Sequence, residues 1–182
     1  MAFIPEGYTI PKLSDNYLKF TEPKTKFRIL SSPVMGYEYW TIPAEGEKKG
    51  VPVRNPNKFE SIPANAQLDN EGKFNQKYFW ALKVFNYGDN KVKVLQITQK
   101  SILDAILAYV QNEDYGDPRN YDITVSKIGE KLETRYTIIA SPPKTSSNEV
   151  IDADLATPVN LQALLTGDNP FDAIVEEINL ED

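Results

Sequence analysis

The chain has 182 residues, a formal net charge of −6, 41% hydrophobic residues and 25% charged residues, the composition of one soluble globular domain with an appended tail. It has no cysteine, which excludes a disulfide framework, a thiolate metal site and a cysteine nucleophile. It has no histidine, which removes the commonest general base, the commonest zinc ligand and every Ser-His-Asp triad.

Residues 1–25 carry Pro5, Pro11 and Pro23 and no sustained period, and read as an irregular N-terminal arm. Their start lacks the basic and apolar regions of a signal peptide, and no apolar run approaches the roughly 20 residues needed to span a bilayer, so a cytoplasmic location is expected. Lys26–Leu30 alternates and reads as a strand, interrupted at Ser31-Ser32-Pro33 because proline cannot donate to a ladder. Val34–Thr41 resumes as an aromatic-rich strand. Residues 42–77 are rich in Pro, Gly, Asn and Lys and read as a long loop, with a short strand at Val53-Arg54. Tyr78–Tyr87 is the strongest strand signal. Gly88-Asp89-Asn90 supplies a turn and Lys91–Ile97 returns as a hairpin partner. Thr98 is placed to cap a helix over 99–111, where Ile102, Leu103, Ile106, Leu107 and Val110 recur at helical spacing. Tyr121–Lys127 and Leu132–Ala140 form a second hairpin about Gly129-Glu130, and Pro142-Pro143 ends the sheet.

Counting the bent first run as one, this is three strands, a helix, then two strands. That is the order of an OB-fold, a five-stranded Greek-key barrel that binds oligonucleotides or oligosaccharides. The expected organisation is the arm at 1–25, an OB-fold domain at 26–144 and an acidic, largely flexible C-terminal tail at 145–182.

The net charge hides an asymmetry. Residues 1–144 hold all 20 basic residues against 17 acidic ones, a net +3, whereas 145–182 hold nine acidic residues and no basic one. Of the 20 aromatic residues only Phe171 lies in the tail. A mildly basic, aromatic-rich body with an acidic tail points to a nucleic-acid partner, or to a domain with a solubilising tail.

A single-strand binder needs cations along a groove and aromatic planes on which unstacked bases lie. The strands interleave both. Phe79, Lys83, Phe85 and Tyr87 share one face of Tyr78–Tyr87, and the lysine argues that this face meets solvent. Tyr78, Trp80, Leu82 and Val84 share the other. Lys91 and Lys93 oppose Val92 and Val94. Lys26 and Arg28 oppose Phe27 and Ile29. Tyr37 and Tyr39 share one face of their strand, Glu38 and Trp40 the other, and Arg54 lies on the loop. Aromatics are also simply good strand formers, and alternating lysines protect edges.

Catalytic motifs are scarce. There is no P-loop or dinucleotide fingerprint. Glu113, Asp114 and Asp117 lack EF-hand spacing and read as a helix-exit loop. No cofactor and no metal are expected, and the chain is not read as an enzyme. In the tail, Ser146–Thr157 reads as a disordered linker. Further on, Phe171, Ile174, Glu176 and Glu177 make either a C-terminal helix packed on the body or an acidic tip with apolar anchors that occupies the basic groove and recruits partners.

Lys26–Trp40 (KFRILSSPVMGYEYW), Tyr78–Asn86 (YFWALKVFN), Val94–Lys100 (VLQITQK) and Tyr115–Tyr136 (YGDPRNYDITVSKIGEKLETRY) resemble the single-stranded DNA-binding, helix-destabilising proteins of bacteriophage replication. The likeness covers about residues 26–143. It implies an OB-fold core, an acidic tail at 145–182, and a DNA-contacting face at Arg28, Tyr37, Tyr39, Trp40, Lys83, Phe85, Lys91 and Lys93. Some members hold zinc in an inserted Cys/His subdomain. Residues 42–77 have neither residue type, so that metal is not expected here. The implied function is sequence-independent coating and protection of single-stranded DNA in replication, recombination or repair in the host cytoplasm, with replication or recombination proteins as partners of the tail. The alternative is an OB-type protein-interaction module. A weaker third reading is a carboxylate enzyme acting on sugars.

Overall fold

The computed structural model describes residues 13–172. Its centre is β4 (Lys77–Asn86), the run with the strongest alternation of aromatic and aliphatic residues. Two strands lie end to end along one edge of β4. β1 (Lys24–Ile29) pairs with its C-terminal half, setting Phe27 opposite Asn86 and Ile29 opposite Val84. β2 (Val34–Trp40) pairs with its N-terminal half, setting Val34 opposite Ala81 and Tyr37 opposite Tyr78. Ser31-Ser32-Pro33 is the joint between them. The Leu30 N–H donates to the Lys83 carbonyl, and the Lys83 N–H donates to Ser31 Oγ, so the ladder continues across the break. β5 (Lys91–Ile97) pairs with the other edge of β4. β3 (Pro52–Asn55) extends the sheet beyond β2, while β6 (Asp122–Ile128) and then β7 (Arg135–Ala140) extend it beyond β1. Gly36 permits the tight β2–β3 approach, since a Cβ there would sit 2.5 Å from the Asn55 carbonyl oxygen.

The protein is mainly β, as its pattern indicates, but the closed five-stranded barrel is not what forms. Among the described residues no ladder joins β5 to β7, and the seven strands make an open antiparallel sheet. Helix α1 (Lys100–Val110) packs against β7 and sets Ile102, Leu103 and Ile106 into a core shared with Leu95 and Ile97 of β5. Thr98 does not cap it. The N-cap is Gln99, whose carbonyl accepts from the Ile102 and Leu103 N–H groups.

The alternation puts Leu82, Val84, Phe27, Ile29, Ile123 and Val125 on the inner face of the sheet, beneath α1. The outer face is covered by the chain's own C-terminal segment. Ser147 caps α2 (Asn148–Ala156), its Oγ accepting from the Val150 N–H, and Val150 packs on Phe85 and Val92. A 3-10 turn at Leu161–Thr166 then lays Leu161 and Leu164 on Val34, Phe79, Ala81 and Val94. The expected disordered linker over 146–157 is therefore corrected. Each buried leucine or phenylalanine contributes about 1.5–3 kcal/mol, which opposes the entropy cost of ordering the segment.

The long loop after β2 is held by local pairing. Thr41 bridges Ala66 and Leu68 bridges Phe74. Thr41 Oγ1 also accepts from the Val51 N–H. Of the N-terminal arm, Tyr17 bridges Val94 and Leu18 enters the core, whereas residues 1–12 lie outside the described residues. No helix among the described residues is long and apolar enough to cross a membrane.

Candidate nucleic-acid interface

The face of β4 that its lysine assigns to solvent by alternation is buried. Phe79 and Phe85 are inaccessible beneath the C-terminal segment. Lys83 is not free: its Nζ lies 2.5 Å from an Asp154 carboxylate oxygen of α2 and donates to the Asp154 carbonyl at 2.9 Å. The acidic segment supplies the charge that lets a lysine lie under it. Lys83 and Lys93 also do not share a face. Val94 stands opposite Lys83 and Lys93 opposite Val84, so the two lysines point to opposite sides of the sheet.

Arg28 is likewise buried, with 1% of its surface exposed. Its Nη1 lies 3.3 Å from Asp122 Oδ1. Its Nε donates to the Arg119 carbonyl and its Nη2 to the Lys144 carbonyl. Tyr87, half-buried, donates its hydroxyl to the same Asp122 oxygen at 2.7 Å, and the Lys26 ammonium lies 5.0 Å from the Tyr87 ring centroid. Lys93 is buried between Asp89 and Asp15, and Lys91 is exposed but bonded to Asp15 at 2.9 Å. Lys91 is the first cause that holds the Asp15 carboxyl below its ordinary range. Arg54 bonds Glu38 at 3.2 Å and Gln96 at 2.7 Å. Tyr39 is buried, its hydroxyl donating to Asn65 and its ring packed against Phe59 and Phe74 of the loop. Trp40 is exposed, beside Leu68 and Lys77. Phe171 packs beside Leu165 on the outer face. Ile174, Glu176 and Glu177 lie outside the described residues.

Two of the expected aromatics, Tyr37 and Trp80, stand on a different and open surface. Beyond the reach of α1, the inner face at the N-terminal end of β4 is uncovered. Met35 stands opposite Trp80 and Tyr37 opposite Tyr78, so these four side chains share one face of the β2–β4 ladder. The Tyr37 and Tyr78 rings lie 5.3 Å apart, tilted by 59°. Tyr78 is 41% exposed and Met35 47%, while Trp80 is half-buried. The platform continues into a groove of about 510 Å³ against α1, lined by Tyr78, Trp80, Leu103 and Leu107, with Lys77 at its rim and an exposed Lys100 paired there with Asp104 at 2.6 Å. The Trp80 indole N–H is buried without a hydrogen-bond partner. Such a surface offers aromatic planes for stacking and flanking ammonium groups for phosphate.

Sequence reasoning missed Tyr78, Lys77 and Lys100. The available signal was the shared alternation of Tyr78 with Trp80, which their neighbouring Leu82 and Val84 made look wholly buried.

Two phenols are pushed up to about 12: Tyr87 by burial first and then by the Asp122 carboxylate, and Tyr121 by burial and then by Asp117. Above pH 10 an unfolded tyrosine loses its proton while these two keep theirs, so their contribution to stability is complete below pH 10 and is lost as pH rises toward 12. Burial raises the Tyr17 phenol as well, and an ultraviolet titration of the phenolates is expected to show a late fraction that shrinks by one tyrosine in Tyr87→Phe. Ten phenols titrating together near pH 10 would contradict the buried network.

No family model matches the chain, and no solved structure matches it. The chain is similar to a probable ssDNA-binding protein of Escherichia phage T5, with 26% identity over 143 residues, 67% of this chain. The chain spans about half the length of that curated relative, 53%. The relative's name describes binding and no catalysis.

Proposed function

We propose that the protein binds single-stranded DNA without sequence preference and performs no covalent chemistry. The observation that carries the reading is the open platform of Tyr37, Tyr78 and Trp80, with Lys77 and Lys100 beside it. Stacking needs exposed base faces, which a duplex lacks, so single strands are preferred. The similarity to the phage protein supports the same reading, as does the net +3 of residues 1–144. The proposed setting is phage DNA replication, recombination or repair in the host cytoplasm. Residues beyond 172 are the proposed contact for replication or recombination proteins. We read the sheet as an opened OB arrangement. A bent first strand joined to both β4 and β6, with a helix after β5, supports this.

The test is binding of a fluorescent deoxythymidine oligomer by anisotropy, with duplex as control, across salt. The expected result is saturable single-strand binding whose log K falls with log salt by about 0.7 per phosphate contact. Absence of single-strand binding at low salt would transfer the reading to a protein-interaction module. One observation favours that second reading: Ile42, Val51, Ile62 and Leu68 of the long loop are exposed.

A further inference from the structure

At the opposite end of the sheet from the aromatic platform, the chain leaves β7 and turns toward α2. There an open pocket of about 580 Å³ lies over Arg28, walled by Arg119, Asn120, Lys144, Thr145 and Ser146. Its charge is unbalanced. Asp122 is a single buried carboxylate faced by Arg28 at 3.3 Å, Lys144 at 3.6 Å and Lys26 at 3.7 Å. Arg119 is paired with Asp117. Four cations, of which Arg28, Arg119 and Lys144 line the pocket and Lys26 stands behind Asp122, thus meet two carboxylates, an excess of two positive charges.

Donors remain for a ligand. Arg119 uses Nε and Nη2 on Asp117, and its Nη1 has no bond among the described residues. The Lys144 side chain is 62% exposed, and its ammonium only approaches Asp122, at 3.6 Å. Among the described residues, the Thr145 and Ser146 hydroxyls donate to no partner. Arg28 is fixed as the floor by bonds to two backbone carbonyls and Asp122, so its charge is held in place with little entropy left to lose. A group that is compact, doubly or singly negative and rich in acceptor oxygens fits this set.

We infer that this pocket is a binding site for a phosphate group. The group is either a backbone phosphate of a bound strand or a free phosphate. The inference stands on the pocket alone and does not need the aromatic platform.

The test follows backbone and side-chain NMR signals of the full-length chain. The chain is titrated with inorganic phosphate, and separately with a deoxythymidine oligomer at low salt. Saturable shifts at Arg119, Lys144, Thr145 and Ser146 are expected with phosphate and are lost in Arg119→Gln/Lys144→Gln, while Lys58→Gln leaves them unchanged. If the oligomer moves these same signals, the source is the strand, and the double variant lowers the salt slope of binding by about 0.7, one phosphate contact. If phosphate moves them and the oligomer binds nowhere, the site takes a free phosphate and the single-strand reading fails alone. If neither ligand moves them, the inference is overturned. An oligomer that shifts only Tyr37 and Tyr78 then leaves the single-strand reading standing.

Discussion

Replacing Arg28 by alanine is expected to cost about 3–5 kcal/mol of folding stability. The residue was a candidate DNA contact, but its guanidinium lies inside the protein and joins three separate stretches of chain. It pairs with Asp122 at the start of β6 and donates to the carbonyls of Arg119 and Lys144. Truncation leaves Asp122, 1% exposed, with one Tyr87 hydroxyl and two ammonium groups beyond 3.5 Å. It also leaves two carbonyls without their donor. The measurement is the urea midpoint at unchanged slope. The double variant Arg28→Met/Asp122→Leu is expected to recover most of the loss, because neither charge then remains buried alone. A loss under about 1 kcal/mol in Arg28→Ala would place that guanidinium in water and contradict the packing described.

Tyr78→Ala is expected to weaken single-strand binding by about 1–3 kcal/mol, roughly 5- to 150-fold, with little change in stability. Tyr78→Phe is expected to bind like the parent chain, because stacking uses the ring and not the hydroxyl. Phe79→Ala makes the contrast. One position along the same strand, its side chain lies on the other face beneath Leu161 and Leu164, so its loss is expected in stability, about 3–5 kcal/mol. The reverse outcome, with affinity lost at Phe79 and kept at Tyr78 in folded variants, would return the site to the outer face of the sheet.

Much of the framework is legible in local pattern. The β4–β5 hairpin follows from alternation on both sides of Gly88-Asp89-Asn90, and Asn90 does adopt the positive φ of 56° that a turn requires. The α1 helix follows from its apolar spacing. Which face of β4 meets solvent is not a local property. Lys83 and the positions around it look solvated until Asp154 and Val150 arrive from more than 60 residues away. The covering segment reads as a solubilising tail because it carries acidic residues and no basic one, and its apolar residues, Val150, Leu161 and Leu164 among them, follow no sustained period. The same applies to Arg28, whose burial depends on Asp122 and on carbonyls of distant loops. Tyr39 was indistinguishable from Tyr37 by alternation. Only the folding back of Phe59 and Phe74 buries one and leaves the other half-buried. The open edge between β5 and β7 depends on where α1 packs, which the order of elements does not encode.

The chain has two tryptophans, and Trp40→Phe leaves Trp80 as its sole indole reporter on the floor of the platform groove. Its fluorescence on titration with poly(dT), at low and moderate salt and against duplex, tests the central claim most directly. Quenching that saturates, weakens with salt and is absent with duplex is the result expected of a stacking single-strand site at Tyr37, Tyr78 and Trp80. Binding of poly(dT) with the Trp80 signal unmoved would contradict that site.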